Sequence, residues 1–274
     1  MPISFACAVS HAPGMTAWAN AAAAAQKDRI YGGFERLRGE LDSSGTEILV
    51  LLTSEHWANF FLDHMGAFCI GRAAAYRGPI EPWLQIDKAE VKGDPALAAE
   101  LLETSYDEGI EPSFAYELEF DHGTMVPLHF LMPRMDRPVV PIFFNTLAEP
   151  QPTARRCLAF GQVIGQVAAR SPHRIGLIAT GGLSHDPGER NHGVIDTDFD
   201  QQFMSVMASG NTERLGRYSR AELAAAGAGA FELLSWVALA GALAGRKGET
   251  VVYEAVKPWA TGIGMVSFAQ AIAA

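Results

Sequence analysis

Six short, nearly continuous apolar runs separated by longer stretches of helical character restrict this 274-residue chain to an alternating α/β architecture. The runs lie at residues 3–9, 47–53, 138–145, 174–180, 250–256 and 264–269. Most are too continuous for half-exposed strands, which alternate apolar and polar side chains. They suit a sheet covered by helices on both faces. Helices are predicted between them at 18–41, 94–106, 153–170, 196–208 and from Ser219 onward. This alternation implies an α/β sandwich, a mostly buried central sheet flanked by helices, whose active site lies at the carboxyl ends of strands. A hydrophobic content of 49% supports one large core, and no repeat or low-complexity linker divides the chain, so a single domain over 1–274 is expected.

The charge balance narrows the partners. Lys and Arg number 21 against 31 Asp and Glu, giving a formal charge of -10, and the basic residues are scattered. Nucleic acid and anionic membranes are therefore disfavoured. Cys7, Cys69 and Cys157 stand far apart, in no spacing suited to a disulfide framework or a thiolate zinc site. The first residues, MPISFACAVSHAPG, lack a basic leader region, and no apolar run approaches the roughly 20 residues of a membrane span. A soluble, unexported protein of the reducing cytoplasm is expected.

The histidines point to where chemistry occurs. Five of the eight sit in turn-like segments beside apolar runs: His11 in SHAPGM, His56 in TSEHW, His122 and His129 in DHGTMVPLHF, and His185 in GGLSHDP. His11, His56 and His185 each follow a predicted strand, so three imidazoles can converge without proximity in sequence. Imidazole serves as a metal ligand and as an acid or base near neutral pH. His129, seven residues beyond His122, could reach the same cavity and touch a substituent of the substrate. His64, His173 and His192 are read as surface or structural residues, with His192 in GERNHG placed on a loop that could lie near the mouth.

Glu232 adds a carboxylate. It lies in the predicted helix from Ser219, whose S-x-x-E box with Glu222 caps the start and whose Phe231, Leu234, Trp236 and Leu243 are expected in the core before an end at Gly245. A carboxylate among such residues must be paired, protonated or bound to a cation. Two histidines and one carboxylate form the donor set of non-haem Fe(II) oxygenases. The glycines of AGAGAF are read as letting this helix approach the metal. Trp18, Trp57 and Trp236 are read as core or pocket wall. GGLSHDPG lacks the lysine of a P-loop, and Ser184 is not in a G-x-S-x-G elbow.

The segments SHAPGM, TSEHW, DHG followed by VPL, GGLSH, and AGAxxxE occur in the order seen in class III (type II) extradiol ring-cleaving dioxygenases, and the chain resembles their LigB-type catalytic subunit over nearly its whole length. The resemblance implies that His11, His56 and Glu232 bind Fe(II), and that His122 and His185 are the catalytic pair. It implies a catechol-type substrate chelated through both oxygens, O2 as co-substrate, and ring opening beside the diol. His185 suits the base that takes the diol proton and His122 the donor, though the two roles could be exchanged. It also implies a homo-oligomer, and either loops such as 70–96 or a separately encoded small subunit closing the pocket. Arg72, Arg77, Arg134 and Arg174 offer no clear partner for a carboxylated substrate. Two rival classes are a Memo-like metal-binding, non-catalytic protein and a zinc hydrolase using the same three ligands.

Overall fold

A computed structural model describes residues 3–188 and 191–268. The ten strands are β1 (Phe5–Val9), β2 (Ile48–Ser54), β3 (Phe68–Gly71), β4 (Ala75–Gly78), β5 (Ala89–Lys92), β6 (Ser113–Ala115), β7 (Val139–Phe144), β8 (Ile175–Thr180), β9 (Glu249–Val256) and β10 (Thr261–Ser267). The α-helices are α1 (Gly14–Ala17), α2 (Ala24–Ser43), α3 (Pro95–Asp107), α4 (His122–Leu131), α5 (Ala154–Arg170), α6 (Thr197–Ser209), α7 (Thr212–Leu215), α8 (Arg220–Ala225) and α9 (Leu233–Ala242). Eight strands form one sheet in the order β6-β3-β7-β2-β8-β1-β10-β9, and β4 and β5 form a separate hairpin.

The middle of the sheet is parallel: β7 pairs with β2, β2 with β8, and β8 with β1. Every residue of these four strands is buried, because alternate side chains enter two separate cores. Ala6, Ala8, Val50 and Leu52 join Phe160 and Trp236 on one face, packed by α3, α5, α6 and α9. Cys7, Val9, Leu49 and Leu51 join Ile30, Phe34 and Leu37 of α2, with Val126 and Leu128 of α4, on the other. The predicted strands and the sandwich are thus found, although Ala269 of the last predicted run lies outside the described residues. Because β2, β8 and β1 are adjacent and parallel, their carboxyl ends share one edge. That edge releases the segments carrying His56, His185 and His11.

Two expectations change. DHGTMVPLHF is helix α4 rather than a turn, despite Pro127 within it. The helix predicted from Ser219 onward is broken: the Ser219–Glu222 capping box forms and starts α8, but Gly227, at φ 113°, turns the chain into a 3-10 turn over Ala228–Glu232 before α9. Phe231, Leu234, Trp236 and Leu243 are buried as expected. Among the described residues no helix is long and apolar enough to cross a membrane, and Cys7, Cys69 and Cys157 are free and buried.

Candidate metal centre and active site

Each of four imidazoles is held at Nδ1 from outside and turns Nε2 inward. His56 donates from Nδ1 to Asp121 Oδ2 at 3.0 Å, and its backbone N–H donates to the same oxygen at 2.6 Å. His185 Nδ1 lies 2.8 Å from the Leu183 carbonyl, which can only accept, so that nitrogen carries the proton. His122 Nδ1 meets Glu81 Oε1 at 2.6 Å. His11 Nδ1 meets Thr180 Oγ1 at 3.1 Å. The Thr180 hydroxyl donates onward, to Thr53 Oγ1 at 2.7 Å or the Gly123 carbonyl at 3.0 Å, and offers His11 a lone pair.

Pro127 explains why that carbonyl is free. Proline has no N–H to close the i to i−4 bond of the helix, so Gly123 O is left for the hydroxyls of Thr53 and Thr180. A residue that weakens helix α4 thereby anchors the threonine that orients His11.

Glu232 sits at the centre. Its Oε2 lies 2.9 Å from His11 Nε2 and its Oε1 3.1 Å from His56 Nε2, with His185 Nε2 at 3.7 Å. Gly182 N–H donates to Oε2 at 2.5 Å. Burial would push the Glu232 carboxyl up, but His11 and His185 hold it well below the usual carboxylate range. Burial likewise depresses His56, yet Asp121 and Glu232 bring it well above its ordinary value. Burial and the neighbouring His56 keep His122 below its ordinary value. His185 is depressed by burial and raised on balance by Glu232.

The donors fit a metal ion. His11 Nε2 is buried and has no hydrogen-bond partner even though a carboxylate oxygen faces it at 2.9 Å. With the ring proton at Nδ1, both facing atoms are acceptors, a conflict that a metal ion between them would remove. Two ligands each about 2.1 Å from one ion at right angles lie about 3 Å apart, and the His11–Glu232 and His56–Glu232 separations match. Nitrogens of His11, His56 and His122 fall within 4.8 Å of one another, which brings His122 to the edge of the same centre.

A cavity of about 480 Å³ opens over these groups. Trp18, Trp57 and Trp259 wall it together with Pro13, Leu147 and Pro187, and His192 stands at the rim. Trp236 belongs to the core as anticipated, whereas Trp18 and Trp57 are 54% and 41% exposed and stand in the cavity wall. Trp57 has φ 59°. A bulky residue in the left-handed region costs roughly 1–2 kcal/mol, strain that is commonly stored at functional sites.

His129 corrects an expectation. Seven helical residues advance about 10 Å, so α4 carries His129 out of the cavity to an exposed position edge-on to Phe130. His192, read as a surface residue, lines the cavity mouth while remaining exposed. The glycines of AGAGAF, expected to let the helix approach a metal, instead make room for His185: Cβ atoms at Gly227 and Gly229 would collide with its backbone and ring. Sequence reasoning missed Glu81, Asp121 and Thr180 as partners of the histidines. Asp121 stood beside His122 as a signal, whereas Glu81 is 41 residues from it and gave none.

The sandwich, the inward-facing nitrogen and carboxylate donors and the aromatic cavity above them give this α/β protein a candidate metal site. Residues 5–264 match the family model of the catalytic LigB subunit of aromatic ring-opening dioxygenase, and the chain belongs to that family. It is 27% identical over 282 residues to a 2,3-dihydroxyphenylpropionate/2,3-dihydroxicinnamic acid 1,2-dioxygenase of Photorhabdus laumondii, covering 85% of this chain and 88% of the relative. A protein of the same name from Burkholderia vietnamiensis is 28% identical over 314 residues, with 96% of each chain covered. In fold, the chain resembles the crystal structure of an uncharacterized protein from Escherichia coli K12, at TM-score 0.58 and 15% identity, covering 96% of this chain and 99% of that one.

Proposed function

We propose that this chain, as one domain over 1–274, is an Fe(II)-dependent enzyme that opens a catechol-type ring beside its diol with O2, using His11, His56 and Glu232 as metal ligands. The observation that carries this is the buried pair of facing acceptors, His11 Nε2 and Glu232 Oε2, beside His56 Nε2. A redox-active ion at that point supplies the electron route between ring and O2 that zinc cannot.

The protein's own groups do the rest. His185 takes one proton of the bound diol at Nε2, and His122, whose own ring proton is held at Nδ1 by Glu81, first takes the second diol proton at Nε2 and then gives it to the oxygen that gains charge. Both rings are fixed at Nδ1, so neither must reorient to act. The tryptophan walls exclude water and orient the substrate ring. Glu81, and Trp83 stacked on Trp18 at 5.4 Å, reach the site from segment 70–96, which supports closure without a separate small subunit. Free buried cysteines support a reducing cytoplasm. Exposed Phe61, Leu62, Phe114 and Tyr116 support a homo-oligomer.

O2 uptake by anaerobically purified, Fe(II)-reconstituted protein against a panel of catechols, with absorbance of the ring-opened product, tests the reading. Stoichiometric uptake with a new chromophore is expected. Turnover that continues without O2 would instead make the protein a hydrolase.

A further inference from the structure

Three of the four inward histidines are oriented at Nδ1 by a side chain: His56 by Asp121, His122 by Glu81 and His11 by Thr180. His185 differs, because its Nδ1–H is held by a backbone carbonyl, that of Leu183 at 2.8 Å. The carbonyl belongs to the trans peptide between Leu183 and Ser184, whose N–H points the opposite way and donates to Asp200 Oδ1 at 2.7 Å. Such a peptide unit is planar and moves as one rigid plate. Asp200 and the His185 ring therefore grip the two ends of a single plate.

The rest of Ser184 is fixed as firmly. Its hydroxyl donates to Asp200 Oδ2 at 2.9 Å and accepts the Asp196 N–H at 2.8 Å, while its carbonyl accepts the Gly262 N–H at 3.3 Å. Asp200 and Ser184 are both fully buried. Gly262 leaves the space for this approach, since a Cβ there would collide with Asp200 Oδ2. Hydrogen bonds in a chain polarise one another, so an acceptor on the Ser184 N–H also strengthens the hold of the Leu183 carbonyl on the imidazole.

We propose that Asp200 is a positioning residue for His185, acting through the Leu183–Ser184 peptide as Glu81 and Asp121 act directly on their own histidines. A carboxylate on α6 thereby orients an acid/base group of the cavity without touching it. The inference rests on the ring-cleaving reading above, in which His185 takes a diol proton.

Asp200→Ala removes the anchor of the peptide. In the Fe(II)-loaded protein kcat for catechol is expected to fall about tenfold, with bound iron and KM for the diol within about twofold of wild type. Asp200→Asn, which still accepts the Ser184 N–H, should restore most of the rate. The loss should shrink along a series of ring-halogenated catechols as the diol becomes more acidic, because a readily ionised diol depends less on the base. Tyr253→Phe removes the third donor to Asp200 but leaves both bonds to Ser184, and should change kcat by less than about twofold. A further readout needs no turnover. In proton–nitrogen correlation NMR of the zinc-loaded protein, the hydrogen-bonded Nδ1 proton of His185 should be present in wild type and in Asp200→Asn and lost in Asp200→Ala. Wild-type kcat or a persisting Nδ1 proton in Asp200→Ala, an equal loss on every catechol, or an equal loss in Tyr253→Phe would overturn the proposal. An Nδ1 proton that follows Asp200 in this way, in a protein that turns over no diol, would sink the dioxygenase reading and leave the coupling standing.

Discussion

Gly229 lies so close to the imidazole of His185 that a methyl group at that position would overlap its Nε2, Cε1 and Cδ2 atoms. Gly182 also abuts the same ring, where a Cβ would stand 2.5 Å from Cε1. The ring is confined by these two glycines, with Nδ1 fixed on the Leu183 carbonyl. Gly229→Ala must therefore move His185 or the turn that carries Glu232. Turnover is expected to fall at least tenfold while bound iron, measured by metal analysis, stays near stoichiometric. Wild-type turnover in Gly229→Ala would show that His185 need not sit where it does.

Much of this site was legible in sequence because β1, β2 and β8 are buried on both faces and end at the same edge, so a histidine just past each end had to be near the others. Segments with weaker signals were missed. β4, AYRG, alternates exposed and buried over only four residues, and β6 has three. Helix α4 carries Gly123 and Pro127, whose local preferences oppose a helix, and forms because Met125, Val126, Leu128 and Leu131 bury against the sheet and α2. Glu81 was invisible because its bond to His122 depends on tertiary approach across 41 residues.

The ligand and acid/base groups should separate by metal content. His11→Ala, His56→Ala and Glu232→Ala are expected to lose iron. His122→Ala and His185→Ala should keep it and lose turnover by 100-fold or more, the usual scale for a positioned acid or base. Metal analysis beside single-turnover kinetics distinguishes the groups. Full iron occupancy in Glu232→Ala would remove the carboxylate from the ligand set.

Glu81 should act through His122. Its Oε1 sits 2.6 Å from Nδ1 and also accepts the His122 backbone N–H at 3.1 Å. Glu81→Ala frees the ring and leaves a buried N–H unpaired, and a loss of 10- to 100-fold in kcat is expected by analogy with partners that orient metal-site histidines. Glu81→Gln, which still accepts at Oε1, should recover most of the rate. Equal losses in both variants would mean that charge, rather than orientation, is what Glu81 supplies.

Thr180 couples helix α4 to His11, the proposed metal ligand. Thr180→Val keeps the shape but deprives His11 Nδ1 of its acceptor, so the ring can turn and present the wrong nitrogen. Iron affinity, read by competition with a chelator, is expected to fall 10- to 100-fold with little change in the fold by circular dichroism. Unchanged affinity would show that packing alone orients His11.

Asp200 carries a different pH dependence. It is buried and accepts hydrogen bonds from Ser184 N–H at 2.7 Å, Ser184 Oγ at 2.9 Å and Tyr253 Oη at 3.0 Å, which ties α6 to the GGLSH segment and to β9. Burial outweighs these donors and raises its pKa from 3.8 to about 6. In the unfolded chain the carboxyl ionises near its ordinary value, whereas the folded chain keeps its proton up to about pH 6. The folded state thus binds more protons across that window, and stability falls as pH rises through it, by up to roughly 3 kcal/mol. Below about pH 4 the penalty is absent, and above pH 6 it is complete. Asp200→Asn keeps an acceptor for Ser184 and carries no charge, so its Tm should exceed the wild-type Tm at pH 7 and the gap should close as pH is lowered towards 4. A gap that stays constant across this range would mean that Asp200 titrates at its ordinary value in the folded protein.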